Sequence, residues 1–218
     1  MRQDETEARA GERRRIAPKR RLRWRERMRP SCSVLAASAL LLTVSTCGQP
    51  SAASASANVA LEYEVKAAFL FRFAQFVEWP ADTFKGTGEP FTYCTIGDDP
   101  FHGALERTLS GKTIGQRPLR VEHLNGTGKI GGCQVLFIGG QEDKKHVDEM
   151  LANTATLPIL TVGDTERFAE NGGAIGFCTE DNKIRFEVNL DAAGKAGLKI
   201  SAKLLALAKT VLGAPKGT

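Results

Sequence analysis

Positive charge is scarce outside the first quarter of the sequence. Residues 1–57 hold 12 of the 30 Lys and Arg residues but only 5 of the 25 Asp and Glu residues. The other 161 residues therefore carry 18 basic and 20 acidic side chains, a formal net charge of −2, although the whole chain has +5. A protein that binds nucleic acid needs a positive field of its own to neutralise phosphates. The composition thus argues against nucleic-acid binding by residues 58–218.

The leader lacks an apolar run long enough to cross a bilayer. The apolar stretch at residues 34–44 has 11 residues, whereas a membrane-spanning helix needs about 20. Basic Arg29 precedes it, and the small residues Ala55, Ser56 and Ala57 follow, which is the pattern of a secretory signal peptide. We therefore predict a periplasmic protein that is cleaved after Ala57, with one domain at residues 58–218.

The leader at residues 1–57 also leaves two questions open. Residues 1–27 are rich in Arg and unusually long for an extension before an export signal, so we interpret residues 28–57 as the signal peptide and Met28 as the true start. A genuine basic extension is the alternative. Cys47 loosely resembles a lipoprotein cleavage site, so lipidation is a second alternative, although the later Ala-Ser-Ala site favours plain cleavage.

Catalytic and metal-binding motifs are also missing. The chain has three histidines, His102, His123 and His146, and none has the spacing of a zinc site. There is no G-x-S-x-G motif, and the Gly139-Gly140 pair is followed by two acidic residues whose charge would repel a phosphate. We expect no enzymatic activity, no metal and no cofactor.

From residue 61 onward, helical and strand patterns alternate. A nearly buried helix is predicted at residues 61–78, and further helices are predicted at 142–151, after an Asp191 cap, and after a Ser201 cap as far as Val211. Asp99 is expected to cap a helix that starts at Pro100. Predicted strands cover residues 91–97, 118–124, 134–138, 159–162, 174–178 and 184–190, the last two forming a hairpin. This order predicts an α/β fold: three layers with a mixed, mostly parallel central sheet flanked by helices.

Three cysteines follow the leader: Cys94, Cys133 and Cys178. Each lies in or next to a predicted strand, and an exported protein can form disulfides. Neighbouring strands bring Cα atoms within disulfide range, so we predict a Cys94–Cys133 bridge and a free Cys178. Three buried thiols are the alternative.

Five sequence blocks resemble the YfiR family. They are KAAFLFRFAQFVEWP at 66–80, CTIGDDPF at 94–101, CQVLFI at 133–138, ILTVGD at 159–164 and RFEVNLDAA at 185–193. The resemblance implies a periplasmic α/β protein that binds the periplasmic region of an inner-membrane diguanylate cyclase and so restrains cyclic di-GMP signalling and biofilm formation. It also implies that Cys94 and Cys133 are the family's bridged pair. Some members carry a second cysteine pair near the late hairpin, where this chain has Cys178 alone.

The late hairpin is our candidate docking surface for that partner. Its polar residues alternate with apolar ones, so one face belongs to the core and the other is available for recognition. The predicted partner-binding residues are Arg185, Glu187, Asn189 and Asp191. A plain solvated face is the alternative, and the first helix around Phe69, Phe73 and Trp79 is the next surface to consider. Formation of a homodimer by two copies of this chain is a further alternative.

Two other functions compete with a regulator. One is a periplasmic small-molecule binding module that uses the carboxyl edge of the sheet near Asp98 and Gly139. The other is a thiol oxidoreductase built on Cys178, which ranks last because no Cys-x-x-Cys motif and no neighbouring His or Lys lowers the pKa of that thiol.

Overall fold

The computed structural model describes residues 52–125 and 130–213. The helices are α1 (Ala52–Gln75), α2 (Ala104–Leu109), α3 (Lys144–Thr154), α4 (Leu190–Lys195) and α5 (Ala202–Leu205). The strands are β1 (Val77–Glu78), β2 (Phe91–Ile96), β3 (Thr113–Ile114), β4 (Arg117–Leu124), β5 (Val135–Ile138), β6 (Leu160–Gly163), β7 (Ile175–Glu180), β8 (Lys183–Asn189), β9 (Lys199–Ile200) and β10 (Thr210–Leu212). Most of the predicted leader lies outside the described residues, and its last six residues form the start of α1.

Eight strands form one mixed sheet in the order β10-β8-β7-β6-β5-β2-β4-β3. Strands β4, β2, β5, β6 and β7 are parallel to their neighbours in that series. Strand β8 is antiparallel to β7, and β10 is parallel to β8. An α/β fold with a mixed sheet is therefore confirmed. The finer description, a mostly parallel sheet in three layers, stays a prediction.

Both faces of the central strands are apolar and buried. Successive side chains of a strand point to opposite faces, so Tyr93 and Cys94 belong to two different cores. The core on the Tyr93 face includes Leu70 and Phe73 of α1, whereas the core on the Cys94 face includes Met150 of α3. This explains why every residue of β2, β5 and β6 is buried, and why the few polar residues in these strands are threonines.

Helix α1 is shorter at its carboxyl end than the sequence predicts. The predicted end at residue 78 is wrong, because the helix stops at Gln75 and Val77–Glu78 forms strand β1. That strand pairs with β9, which fixes the exit of the helix against the carboxyl-terminal part of the chain. The helix is not nearly buried over its whole length as predicted, since Val59 is 50% exposed and Leu61 is 60% exposed.

The predicted final helix is wrong beyond its first turn. Ser201 caps it as predicted, accepting a hydrogen bond from the Lys203 amide, but α5 ends at Leu205. Residues 210–212 form the strand β10, which pairs with β8. Leu207, which a continued helix would place on the same face as the buried Leu204, is 66% exposed. Backbone pairing with β8 therefore overrides the helical pattern of the sequence here.

The helix caps predicted at Asp99 and Asp191 are wrong. The side chain of Asn189, not of Asp191, accepts the capping hydrogen bond at the start of α4. Asp99 accepts hydrogen bonds from the amides of Phe101 and Gly103, and α2 begins only at Ala104. Asp99 therefore closes a turn that precedes the helix, instead of capping the helix itself.

The late hairpin forms as the sequence predicts. Asp181 and Asn182 have positive φ angles of 49° and 56°, as a two-residue type I′ turn requires. Because Asn and Asp tolerate this left-handed conformation better than most residues, the pair suits the turn. Phe177 lies opposite Phe186 in the resulting ladder.

The structure contains the Cys94–Cys133 disulfide, with 5.8 Å between the two Cα atoms. Cys94 lies within β2, next to Tyr93, which pairs with Val135 of β5, and Cys133 lies two residues before Val135. Both cysteines are buried in the core under α3. The bridge closes a sequence separation of 39 residues between the two central strands.

Candidate functional site

A buried ion pair marks the carboxyl end of strand β6. Asp164 follows that strand directly, and Lys66 reaches it from α1 with an Nζ to Oδ2 distance of 2.5 Å. The two side chains are only 5% and 7% exposed. Lys66 also pairs with Glu62, one turn earlier on α1, at 2.6 Å. Since an isolated charge is costly to bury, the two carboxylates explain how a lysine occupies this apolar helix face.

Tyr63 completes the cluster. Its hydroxyl donates a hydrogen bond of 3.0 Å to Asp164 Oδ2, and the Lys66 Nζ lies 4.3 Å from the centroid of its ring. Burial, followed by the charge of Asp164, raises the pKa of Tyr63 well above its usual value. The tyrosine is therefore neutral near pH 7 and acts as a hydrogen-bond donor. It does not supply a general base.

The cluster joins regions that are far apart in sequence. Lys66 and Asp164 are separated by 98 residues, and each lies in one of the blocks that resemble the YfiR family. Sequence reasoning did not single out either residue. The available signal was a lysine between apolar residues of a predicted buried helix, which requires a buried partner.

A cavity of about 390 Å³ opens beside this ion pair. Helix α1 contributes Glu62 and Lys66 to its wall, and the loop after β6 contributes three acidic side chains and one basic side chain. Strands β7 and β8 close the other side. The lining residues are Glu62, Lys66, Asp164, Glu166, Arg167, Phe168, Glu170, Gly176, Phe177, Cys178, Thr179, Ile184 and Glu187.

Cys178 is the free cysteine of the described ranges, and it lines this cavity. Its ladder partner across the hairpin is Arg185, so no second cysteine faces it there. Burial and then the carboxylate of Glu187 raise the pKa of the Cys178 thiol. A thiol with a raised pKa is a poor nucleophile at neutral pH, which disfavours the oxidoreductase alternative.

The four predicted partner-binding residues have different surroundings in the structure. Glu187 lines the cavity, whereas Arg185 is exposed on the same strand. The Asn189 side chain already makes hydrogen bonds within the protein, because it caps α4 and donates to the Ala169 carbonyl. Asp191 lies in the first turn of α4 and lines a different groove. Their role in docking stays a prediction.

The apolar side of the hairpin packs as predicted for two of its residues. Phe186 and Val188 are buried in the core beneath α1. Of the first-helix surface, Phe73 is fully buried, while Phe69 and Trp79 are partly buried against the same core. That surface therefore offers little free apolar area near Phe73.

The predicted ligand edge near Asp98 and Gly139 does not coincide with the cavity. Asp98 is exposed, and neither residue lines the 390 Å³ space. A Cβ added to Gly139 would touch the side chains of Phe137 and Pro100 at ordinary packing distances. Side chains therefore already fill the space beside Gly139.

His123 lies beside two carboxylates that are distant from it in the sequence. His123 Nε2 is 2.7 Å from Glu106 Oε1. Asp99 lies nearby, and one side-chain atom from each of the three residues lies within 4.8 Å of the other two. His123 Nδ1 is also 2.7 Å from Thr95 Oγ1, and Asp99 accepts two backbone hydrogen bonds. These contacts give each member a structural partner.

In the part of the chain that the structure describes, no helix combines the length and apolar character needed to cross a membrane.

A family model described as YfiR/HmsC-like matches residues 63–209. The match covers more than half of the chain and includes α1 from Tyr63 onward, the disulfide and the late hairpin. The chain therefore belongs to the YfiR/HmsC-like family.

Among solved structures, the chain is similar to a conserved domain protein from Vibrio cholerae O1 biovar El Tor strain N16961. The two share 11% sequence identity, with a TM-score of 0.44. The match covers 68% of this chain and 60% of the other, so this chain spans less than two thirds of that protein.

Proposed function

We propose that this YfiR/HmsC-like protein is a non-enzymatic periplasmic regulator that binds the periplasmic region of an inner-membrane diguanylate cyclase and restrains cyclic di-GMP synthesis. The observation that carries the proposal is the family match over residues 63–209. The partner and the mechanism of restraint are the proposed steps beyond family membership.

The chemistry of the cavity is consistent with binding. Lys66 is held between two carboxylates, and Tyr63 is held neutral by burial and by Asp164. A catalytic base or nucleophile needs a pKa near the working pH, and the raised pKa values of Tyr63 and Cys178 move both groups away from it. These side chains are better suited to binding another molecule than to transferring protons.

Glu187 is the predicted docking residue that best suits a test. It lies on β8, it lines the cavity, and its ladder neighbours are Gly176 and Thr210, whose small side chains leave room for a longer residue. No described side chain forms an ion pair with it at 4.0 Å or less. Its replacement should therefore change surface charge with little effect on packing.

The experiment compares Glu187→Lys with Glu149→Lys, an exposed position on α3 outside the cavity. We expect Glu187→Lys to keep its melting temperature while cellular cyclic di-GMP and surface attachment rise toward those of a deletion strain. Glu149→Lys should repress normally. A folded Glu187→Lys protein that represses fully and still co-purifies with its membrane partner would remove this face from the docking surface.

A small-molecule binding module is the second candidate function. The cavity beside Asp164 and a groove of about 520 Å³ between α3 and α4 both fall in the size range of ligand sites. Melting-temperature shifts with panels of amino acids, cofactors and nucleotides test this function. A shift in purified protein without any membrane partner would favour it over the regulator. A homodimer stays a prediction that light scattering of the exported protein can test.

A further inference from the structure

Strand β7 extends beyond strand β6 at the carboxyl end of the sheet. Gly163, the last residue of β6, pairs with Gly176, so residues 177–180 pair with β8 alone. Among residues 52–125 and 130–213, no other strand forms a ladder with this segment. One edge of β7 is therefore open here, and open strand edges can accept an added strand from a partner.

This open edge borders the acidic cavity. Phe177, Cys178 and Thr179 line it along β7. The charged lining residues are Glu62, Asp164, Glu166, Glu170, Glu187, Lys66 and Arg167. Five carboxylates and two cations give a formal net charge of −3. The open edge of β7 and the negative charge of the cavity therefore lie next to each other.

The two basic residues of the lining are already engaged. Lys66 pairs with Glu62 and Asp164, and Arg167 pairs with Glu170 at 2.5 Å. Glu166 and Glu187 have no ion-pair partner within 4.0 Å among the described side chains. The cavity thus retains negative charge that its own residues do not neutralise.

Asp164 supplies an independent indication that a donor is missing. Its side chain is 7% exposed and lines the cavity, and its Oδ2 receives both Lys66 and Tyr63. Its Oδ1 is buried and has no hydrogen-bond partner among the described residues. A buried carboxylate oxygen without a donor is unfavourable. This oxygen lies beside Gly140, which does not line the cavity, so Asp164 acts on a cation in the cavity through its charge rather than through a hydrogen bond to Oδ1.

We propose that the open edge of β7 and the acidic cavity together bind a basic, extended segment of the membrane partner, which adds a strand beside residues 177–180 and places a Lys or Arg side chain among Asp164, Glu166 and Glu187. Backbone hydrogen bonds along the edge supply part of the affinity. The carboxylates select the positive side chain. This inference rests on the proposed function, and it names the chemistry of the partner segment.

The pKa shifts around the cavity agree with its charge. Burial is the first cause of the raised pKa at Cys178, and the Glu187 carboxylate is the second. Burial and Asp164 likewise raise the pKa of Tyr63. In both cases nearby carboxylates oppose the formation of another negative charge. At Cys178 the cations Lys209 and Arg185 act in the opposite direction, and the net pKa shift is still upward.

Two pentapeptides test the site without the unidentified partner. The ¹⁵N-labelled exported protein is titrated with acetyl-Val-Lys-Val-Lys-Val-amide and with acetyl-Val-Glu-Val-Glu-Val-amide, while amide signals are followed by NMR. We expect the lysine peptide to shift the amides of Phe177, Cys178 and Thr179 and the glutamate peptide to leave them unchanged. No shift with the lysine peptide, or equal shifts with both peptides, would overturn the proposal.

Charge-neutral variants test the carboxylates. Glu166→Gln combined with Glu187→Gln should bind the lysine peptide roughly tenfold more weakly at low salt, because two of the three excess charges are lost. The matched control is Glu122→Gln combined with Glu149→Gln, two carboxylates outside the cavity, and it should bind as the native protein does. Equal affinity of the two double variants would contradict the inference.

A pulldown from membranes separates this inference from the proposed function. If the native protein captures no diguanylate cyclase, the proposed function fails, whatever the peptides do. If the native protein and the Glu166→Gln/Glu187→Gln variant capture the cyclase equally, the regulator stands but its docking site is elsewhere. Capture that is lost in this variant and kept in the control supports both.

Discussion

Replacing Lys66 with methionine should destabilise the protein strongly. Lys66 is 5% exposed in its side chain, and its Nζ holds Glu62 and Asp164 at 2.6 and 2.5 Å. The methionine keeps much of the side-chain volume but leaves Asp164 buried with Tyr63 as its remaining donor. Removing one partner of a buried ion pair costs about 3–5 kcal/mol of unfolding free energy. For a domain of this size, that loss lowers the melting temperature by about 10 °C.

The Asp164 variants sharpen this prediction. Asp164→Asn should cost less than Lys66→Met, about 1–3 kcal/mol, because Lys66 keeps Glu62 as a partner. The double variant Lys66→Met/Asp164→Asn should be more stable than the sum of the two single losses implies, since it buries no uncompensated charge at this pair. Lys144→Met, which breaks an exposed ion pair with Asp148, is the matched control and should cost under about 1 kcal/mol.

Urea unfolding at pH 7, followed by circular dichroism, measures these free energies. A Lys66→Met loss no larger than that of Lys144→Met would refute the reasoning. Strict additivity of the Lys66 and Asp164 changes would also refute it, because the two groups would then not interact.

Three further outcomes follow from the sequence and the structure. N-terminal sequencing of the exported protein should start near Asn58, and finding residues 1–27 attached would end the leader prediction. Cys94→Ser should lower the unfolding free energy by about 2–5 kcal/mol, as measured in urea, because it opens the loop that the bridge with Cys133 closes. Iodoacetamide should alkylate Cys178 more slowly at pH 7 to 8 than an ordinary thiol, because its raised pKa leaves less thiolate, and Glu187→Gln should speed the reaction. An unchanged rate in Glu187→Gln would show that the carboxylate does not act on the thiol.

The sequence could predict six of the eight described strands of the sheet to within about two residues, because their signals are local. Strands β2, β5 and β6 consist of apolar residues and threonines, and they are buried on both faces. The hairpin was equally visible, since Asp181 and Asn182 suit a turn with positive φ. The bridge between Cys94 and Cys133 followed from placing two cysteines on neighbouring strands. Family membership likewise required only the order of the sequence blocks.

The errors occurred where a distant part of the chain outweighs a local pattern. Residues 210–212 fit an amphipathic helix by spacing, but they form a strand because β8 offers its free edge. Val77–Glu78 fits the end of α1 and is drawn out of the helix by pairing with β9. Asn189 caps α4 in place of Asp191 because the helix begins two residues earlier than the pattern suggests.

By itself, the sequence determined the α/β class, the bridged cysteines and the family, because each depends on short patterns or on their order along the chain. Only the tertiary structure decided the site. Lys66 and Asp164 are 98 residues apart, and they meet because α1 packs over the carboxyl end of β6. The acidic cavity and the open edge of β7 arise because β6 stops at Gly163 while β7 continues to Glu180. A difference in length between two paired strands has no signature in either strand, since it depends on their register.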